Sequence, residues 1–158
     1  MREGIIVGDW MENECIVLAG KILEGLNELG LLPPFDDKPD EPLDGIYFSV
    51  CDGDGKVVFK GVIGSERDER FAAIAQKKAE MSARERMSTR EIIVQGRLRP
   101  GDTKWPGGLW FDTLGVAVGV SGIYSRWDEF IAAVIGWAMK VLVRGLVEDQ
   151  TKDFIPVF

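Results

Sequence analysis

Between Gly115 and Gly122 the chain reads GVAVGVSG. Val116, Val118 and Val120 alternate with Gly115, Ala117, Gly119 and Ser121, which is the two-residue period of a β-strand. The branched face belongs in a core. The opposite face carries nothing larger than a hydroxymethyl group, so another surface can approach its backbone closely. A helix, a ligand or a second subunit each satisfies that pattern. Any fold for this chain must therefore contain a sheet that is thick on one side of this strand and almost bare on the other.

The segments around it supply the partners. Leu109–Asp112 and Gly115–Ser121 read as an antiparallel pair turning at Thr113-Leu114. Upstream, Ile46, Phe48 and Val50 alternate with Tyr47, Ser49 and Cys51 as a half-buried strand. Asp52-Gly53-Asp54-Gly55 provides a tight reversal, and Val57–Ile63 the return strand. A calcium loop would need further oxygen ligands where valine and phenylalanine stand, so DGDG is a turn. The β-branched run Ile92-Ile93-Val94 predicts a further short strand over Glu91–Gln95.

Three helices complete the outline. Asp9 and Glu12 are spaced as a capping box. Cys15, Ala19, Ile22, Leu23, Leu26 and Leu29 then follow at helical spacing, stopped by Gly30 and Pro33-Pro34. Asp68–Met87 forms a second helix with Phe71, Ile74, Ala75, the stem of Lys78, Met81 and Ala83 along one side. Ser125 and Asp128 open the last helix in capping-box style, and Trp127, Phe130, Ile131, Val134, Ile135, Ala138, Val141 and Leu142 form its stripe. Trp137 lies off that stripe, exposed or at an interface. Phe35–Asp44 is an acidic, proline-bearing loop, and the apolar ending Phe154–Phe158 docks on its own domain or on a neighbouring subunit. The order predicts one α+β domain over 1–158, an antiparallel sheet of about five strands with flanking helices.

Composition narrows the chemistry. Histidine is absent from all 158 residues, which removes histidine triads, histidine-ligated zinc or iron, and a proximal-histidine haem. Cys15 and Cys51 sit within apolar patterns and read as reduced core thiols, a disulfide being the alternative. No apolar run is long enough for a signal peptide or a membrane span, so a cytoplasmic protein without membrane attachment is expected. The net charge of −7 argues against nucleic acid as a partner. The stretch from Glu66 to Lys104 nevertheless holds ten basic against seven acidic residues, which leaves room for an anionic small molecule.

Three blocks carry a resemblance. Gly107-Gly108-Leu109, then Gly115–Gly122, then Asp128 early in a helix are similar to the C-terminal signature of the GlcG/HbpS-like (haem-degrading-domain) family, with Trp110 where that family usually has proline. Lys78-Ala79 through Arg84 to Ser88-Thr89 is similar to the family's KA-x-T helix and the Ser/Thr after it, with Met81 in place of threonine. Asp52–Gly55 fits its D-x-x-G turn. The resemblance implies a profilin-like, five-stranded antiparallel sheet and oligomers built through it. It also implies haem or corrinoid binding, for which Cys51, Met81, Met87, Tyr124 or a lysine would have to ligate iron.

Three functions compete. A small-ligand site would gather the Gly107-Gly108 turn, whose amides can hold a carboxylate or phosphate, with Gly119 and Ser121 of the bare face and the cations Arg84 and Lys104; Thr89 joins them through the resemblance. An assembly module would use the apolar tail, Trp137 and the bare strand face to build a homo-oligomer. Catalysis has the least behind it, because no carboxylates are paired at a telling spacing. No catalytic residue, metal ligand or cofactor is singled out.

Overall fold

The computed structural model describes residues 9–29, 45–64, 66, 68–123 and 125–150. The side chain of Asp9, the Gly30 and Pro33-Pro34 stop, the 35–44 loop, Tyr124 and the 154–158 tail lie outside the described residues. The elements run α1 (Asp9–Glu28), β1 (Ile46–Asp52), β2 (Val57–Ile63), α2 (Glu69–Glu85), α3 (Thr89–Val94), β3 (Gly108–Phe111), β4 (Val116–Ser121) and α4 (Ser125–Gln150).

Among the described residues the strands form one antiparallel sheet in the order β2-β1-β4-β3. The α+β class and the sheet with flanking helices are as expected, with four strands rather than about five. The difference is the segment after α2. Its β-branched run forms α3 because local capping chemistry decides the matter. Ser88 Oγ accepts from the Glu91 amide at 3.1 Å, the N-cap half of a capping box, and donates to Glu91 Oε1 at 3.2 Å. Only Thr89 and Ile92 of this helix are buried, and Val94 is 80% exposed, so sheet packing had little to offer it.

Two layers cover the sheet. The branched face of β4 meets α1 and α4, where Val116, Val118 and Val120 join Ile46, Phe48 and Val50 of β1 with Met11, Cys15, Ala19, Ile131, Ile135 and Met139. The bare face receives α2. Ala79 and Ala83 pack there on Cys51 and Ala117. A Cβ on Gly119 would lie 2.1 Å from the Ala75 carbonyl oxygen and 2.6 Å from the Ala79 nitrogen, so helix backbone rests directly on strand backbone. Of the three occupants that the sequence left open, a helix is the one found. Its coverage also corrects the half-buried reading of β1, which is buried on both faces from Ile46 to Cys51.

The stripe of α4 is narrower than the sequence suggested. Ile131, Ala132, Ile135, Ala138 and Met139 face the core, whereas Phe130 and Val141 point outward beside Trp137, which is 61% exposed. Cys15 and Cys51 are both buried and free, one in each layer.

Gly119→Ala is the sharpest test of this packing. Overpacking that moves backbone costs up to about 3 kcal/mol. Urea unfolding of the Ala variant should show a loss near that size, while Gly25→Ala in α1, where the added methyl meets nothing within 4 Å, should lose nothing. A neutral Gly119→Ala would contradict the backbone contact.

Candidate functional site

The double glycine lies over the one buried ion pair among the described residues. Lys78, on α2, is 1% exposed, yet its ammonium as well as its stem is inside. Nζ donates to the Val120 carbonyl at 2.7 Å and to Asp128 Oδ2 at 3.1 Å. Asp128 Oδ1 accepts from the Ile123 amide at 3.0 Å. The residue expected to cap α4 beside Ser125 therefore ties α4 to α2 and to the end of β4. Gly107, at φ 139°, closes over this pair, and a Cβ there would meet Lys78 Nζ and Val120 O at 2.7 Å each. Burial pushes the Asp128 carboxyl up to about 6 despite the neighbouring ammonium, and burial lowers Lys78.

The residues named from the sequence fall into separate places. Thr89, Gly107 and Gly108 do come together: both glycine amides donate to Thr89 Oγ1 at 3.0 Å, so an internal hydroxyl takes the position expected of a carboxylate or phosphate. Gly119 lies beneath α2, and Ser121 is buried at the end of β4. Arg84 is elsewhere. Its guanidinium forms a two-pronged bond with Asp102 at 3.0 and 2.8 Å and a further bond to Glu85 at 2.6 Å. Hydrogen bonding to Arg84 holds the Asp102 carboxyl below its usual value. Arg97 and Arg99 also face Glu85, at 3.6 Å each. Much of the basic middle is thus consumed internally. Lys104 is exposed.

A site that sequence reasoning missed lies where the two hairpin reversals meet the end of α2. Arg86 caps α2 with φ 57° and ψ 36°, and among the described residues it is the one non-glycine with positive φ. That conformation costs about 1 kcal/mol in an L-residue. Its guanidinium carbon lies 4.3 Å from the Trp110 ring centroid. Trp110 Nε1 in turn donates to Asp112 Oδ1 at 3.3 Å. The guanidinium also rests on Gly53, where a Cβ would come within 2.7 Å of Nη1. Arg86 makes no ion pair or hydrogen bond with any described residue. These groups wall a cleft of about 400 Å³, completed by Asp54, Thr113, Leu114 and Gly115. The one sequence signal was Trp110 in the place of the family's proline.

A second hollow of about 510 Å³ runs between α1 and α4. It is lined by Leu18, Ile22, Phe130, Val134, Trp137 and Val141, with Glu14 at its rim. A third, of about 370 Å³, lies on the other side of the DGDG turn by Lys77, Glu80 and Arg84. Asp52 Oδ1 accepts from the Asp54 and Lys56 amides at 2.9 and 3.0 Å, the work of a turn carboxylate.

Solved structures share this arrangement. ORFY, a Klebsiella pneumoniae protein of the DUF336 family, is 19% identical with a TM-score of 0.56 over 89% of this chain and 97% of its own. The PduOC–haem complex is 17% identical with a TM-score of 0.56, covering 85% of this chain and 95% of that one. A double mutant of Streptomyces reticuli HbpS is 19% identical with a TM-score of 0.55, covering 78% and 82%. The chain has the GlcG/HbpS-like fold. At these identities the likeness is one of fold, and no protein-family model or curated protein matches the sequence.

Among the described residues, the cysteine and methionines named as iron donors and the buried Lys78 do not present a ligand to any of these hollows; Lys77 alone of the lysines lines one. Cys51 and Met81 are fully buried, and burial pushes the Cys51 thiol up to about 11. Lys78 is sealed against Asp128. Neither these residues nor Met87 lines any of the three hollows; Tyr124 lies outside the described residues. No described helix is long and apolar enough to cross a membrane.

The buried pair makes a pH prediction. The folded Asp128 carboxyl keeps its proton up to about pH 6, the unfolded one only to 3.8. Between those values the folded state binds a proton that the unfolded state does not, so this group adds stability as pH falls through the window and loses it as pH rises. Lys78→Met with Asp128→Asn should be at least as stable as wild type at pH 7, because desolvation outweighs the attraction. The double variant should also lack the gain between pH 6 and 4 in urea titrations. A markedly destabilised double variant with an unchanged pH profile would refute this.

Proposed function

We propose that this chain is a small-ligand-binding protein whose ligand occupies the cleft between the hairpin reversals, with Arg86 as its principal contact. The observation that carries this reading is an exposed arginine held at positive φ and stacked on Trp110, with no ion-pair or hydrogen-bond partner among the described residues. Structure that costs stability and satisfies no internal group is the mark of a recognition site. Thr89, Gly107, Gly108, Gly119 and Ser121 are, in this reading, the frame that fixes β3 and β4 against α2, and Arg84 and Lys104 stand outside the cleft. The haem complex of PduOC supports binding of a small molecule on this fold. The donor set argues for a different ligand here.

Arg86→Gly is the discriminating variant. Glycine relieves the backbone strain, so stability should stay within about 0.5 kcal/mol of wild type even with the ring contact gone. Metabolites that raise the wild-type Tm in a thermal-shift screen should lose that shift in Arg86→Gly and retain it in Lys104→Ala. Hits that survive Arg86→Gly, or a screen without hits, count against the cleft.

The α1/α4 surface favours a second reading, self-association. Val17, Leu18, Phe130, Trp137 and Val141 are exposed along it. Glu14 at the rim and Lys140, 4.7 Å from the Trp137 ring, supply opposite charges that a two-fold contact can pair. Trp137→Glu should lower the mass measured by light scattering if this face joins two copies. An unchanged mass removes the face from consideration.

A further inference from the structure

The cleft holds more than one sign of charge, and that fixes the kind of ligand it suits. We infer that its ligand is a zwitterion of the amino-acid type, carrying a carboxylate and an ammonium group beside an apolar body. This deepens the cleft reading above and rests on it.

Three charged side chains line the cleft: Arg86, Asp54 and Asp112. The wall is therefore cationic at one point and anionic at two. A simple anion, the ligand suggested by the basic stretch from Glu66 to Lys104, would gain Arg86 but face two carboxylates. A simple amine would meet the reverse. All three side chains are exposed, so each charge is partly screened, and a molecule bearing both signs is the one that gains from the whole wall. Of the two cations named for a plain anion, Arg84 is committed to Asp102 and Lys104 does not line the cleft.

The geometry supplies each contact from a different element. Arg86 comes from the end of α2, with its guanidinium set between Trp110 and Gly53. Its terminal nitrogens lie beside Gly53 and bond no described residue, and a guanidinium can bind a carboxylate through two nitrogens. Asp112 belongs to the β3–β4 reversal. Its Oδ1 is engaged by Trp110 Nε1, which leaves Oδ2 to accept from an ammonium group. The half-buried Trp110 ring offers the apolar surface, with the mostly buried Leu114 behind it. The hollow of about 400 Å³ is ample for a molecule with one ring.

Three probes decide the matter: phenylalanine, phenylpropionate, which lacks the ammonium, and phenethylamine, which lacks the carboxylate. Each is titrated into 15N-labelled protein. Phenylalanine should shift the amides of residues 53, 54, 86 and 110–115 with millimolar affinity, and each single-charge analogue should bind about tenfold more weakly. Asp112→Asn keeps an oxygen for Trp110 Nε1 and should abolish the preference for phenylalanine over phenylpropionate. Gly53→Ala should weaken phenylalanine binding without loss of fold, because the new methyl displaces only the mobile end of Arg86. If phenylpropionate binds the cleft as tightly as phenylalanine, the zwitterion is wrong and the cleft stands. If all three shift residues of the α1/α4 hollow instead, or shift none, both the zwitterion and the cleft fall.

Discussion

The backbone contact between β4 and α2 is the constraint from which the remainder follows. Because Gly119 has no side chain, α2 settles until its own carbonyls and amides touch the strand. At that depth Lys78 cannot reach water, and its ammonium must end on Val120 and Asp128. Asp128 then fixes the start of α4, and Gly107 must be a glycine to pass over the pair. One bare strand face thus sets the height of one helix, the entry of another and the path of the loop between them. The ion pair contributes direction more than net stability, since its partners spend their attraction on their own desolvation.

Much of this was legible in the sequence, for a simple reason. Period-two and period-3.6 patterns report on burial directly, so the valine face of β4, both hairpins, α1, α2 and α4 can be read from spacing alone. What was missed depended on partners far away in the chain. Nothing local pairs Lys78 with Asp128, fifty positions on, or Arg84 with Asp102. The α3 segment is different, because its evidence was local. Ser88 and Glu91 stand at capping-box spacing in plain view, but only the β-branched Ile92-Ile93-Val94 was read. The broad stripe of α4 failed through geometry: a helix lying on a sheet buries a narrow strip, and Phe130 and Val141 fall outside it.

The candidate site shows the same division. Arg84 was read as an open cation, and the structure pairs it with Asp102 and Glu85, because an arginine in a mixed-charge stretch has acidic neighbours to find first. Arg86 escaped notice because its significance lies in a backbone angle and a stacking partner, neither of which spacing reveals. The solved structures share the frame of helices and strands, at 17 to 19% identity. Function on a shared fold resides in the side chains set on it.

The two cysteines occupy opposite sides of the sheet, Cys15 under α1 and α4 and Cys51 under α2. A bridge between them would have to pass through the strands, so oxidation cannot staple the native molecule. Each sulfur instead stands guard over one interface. Alkylation at position 15 requires the α1/α4 side to lift, and alkylation at position 51 requires α2 to rise from Gly119. The chain therefore carries an internal clock for each layer, and the two readings distinguish peeling from wholesale unfolding.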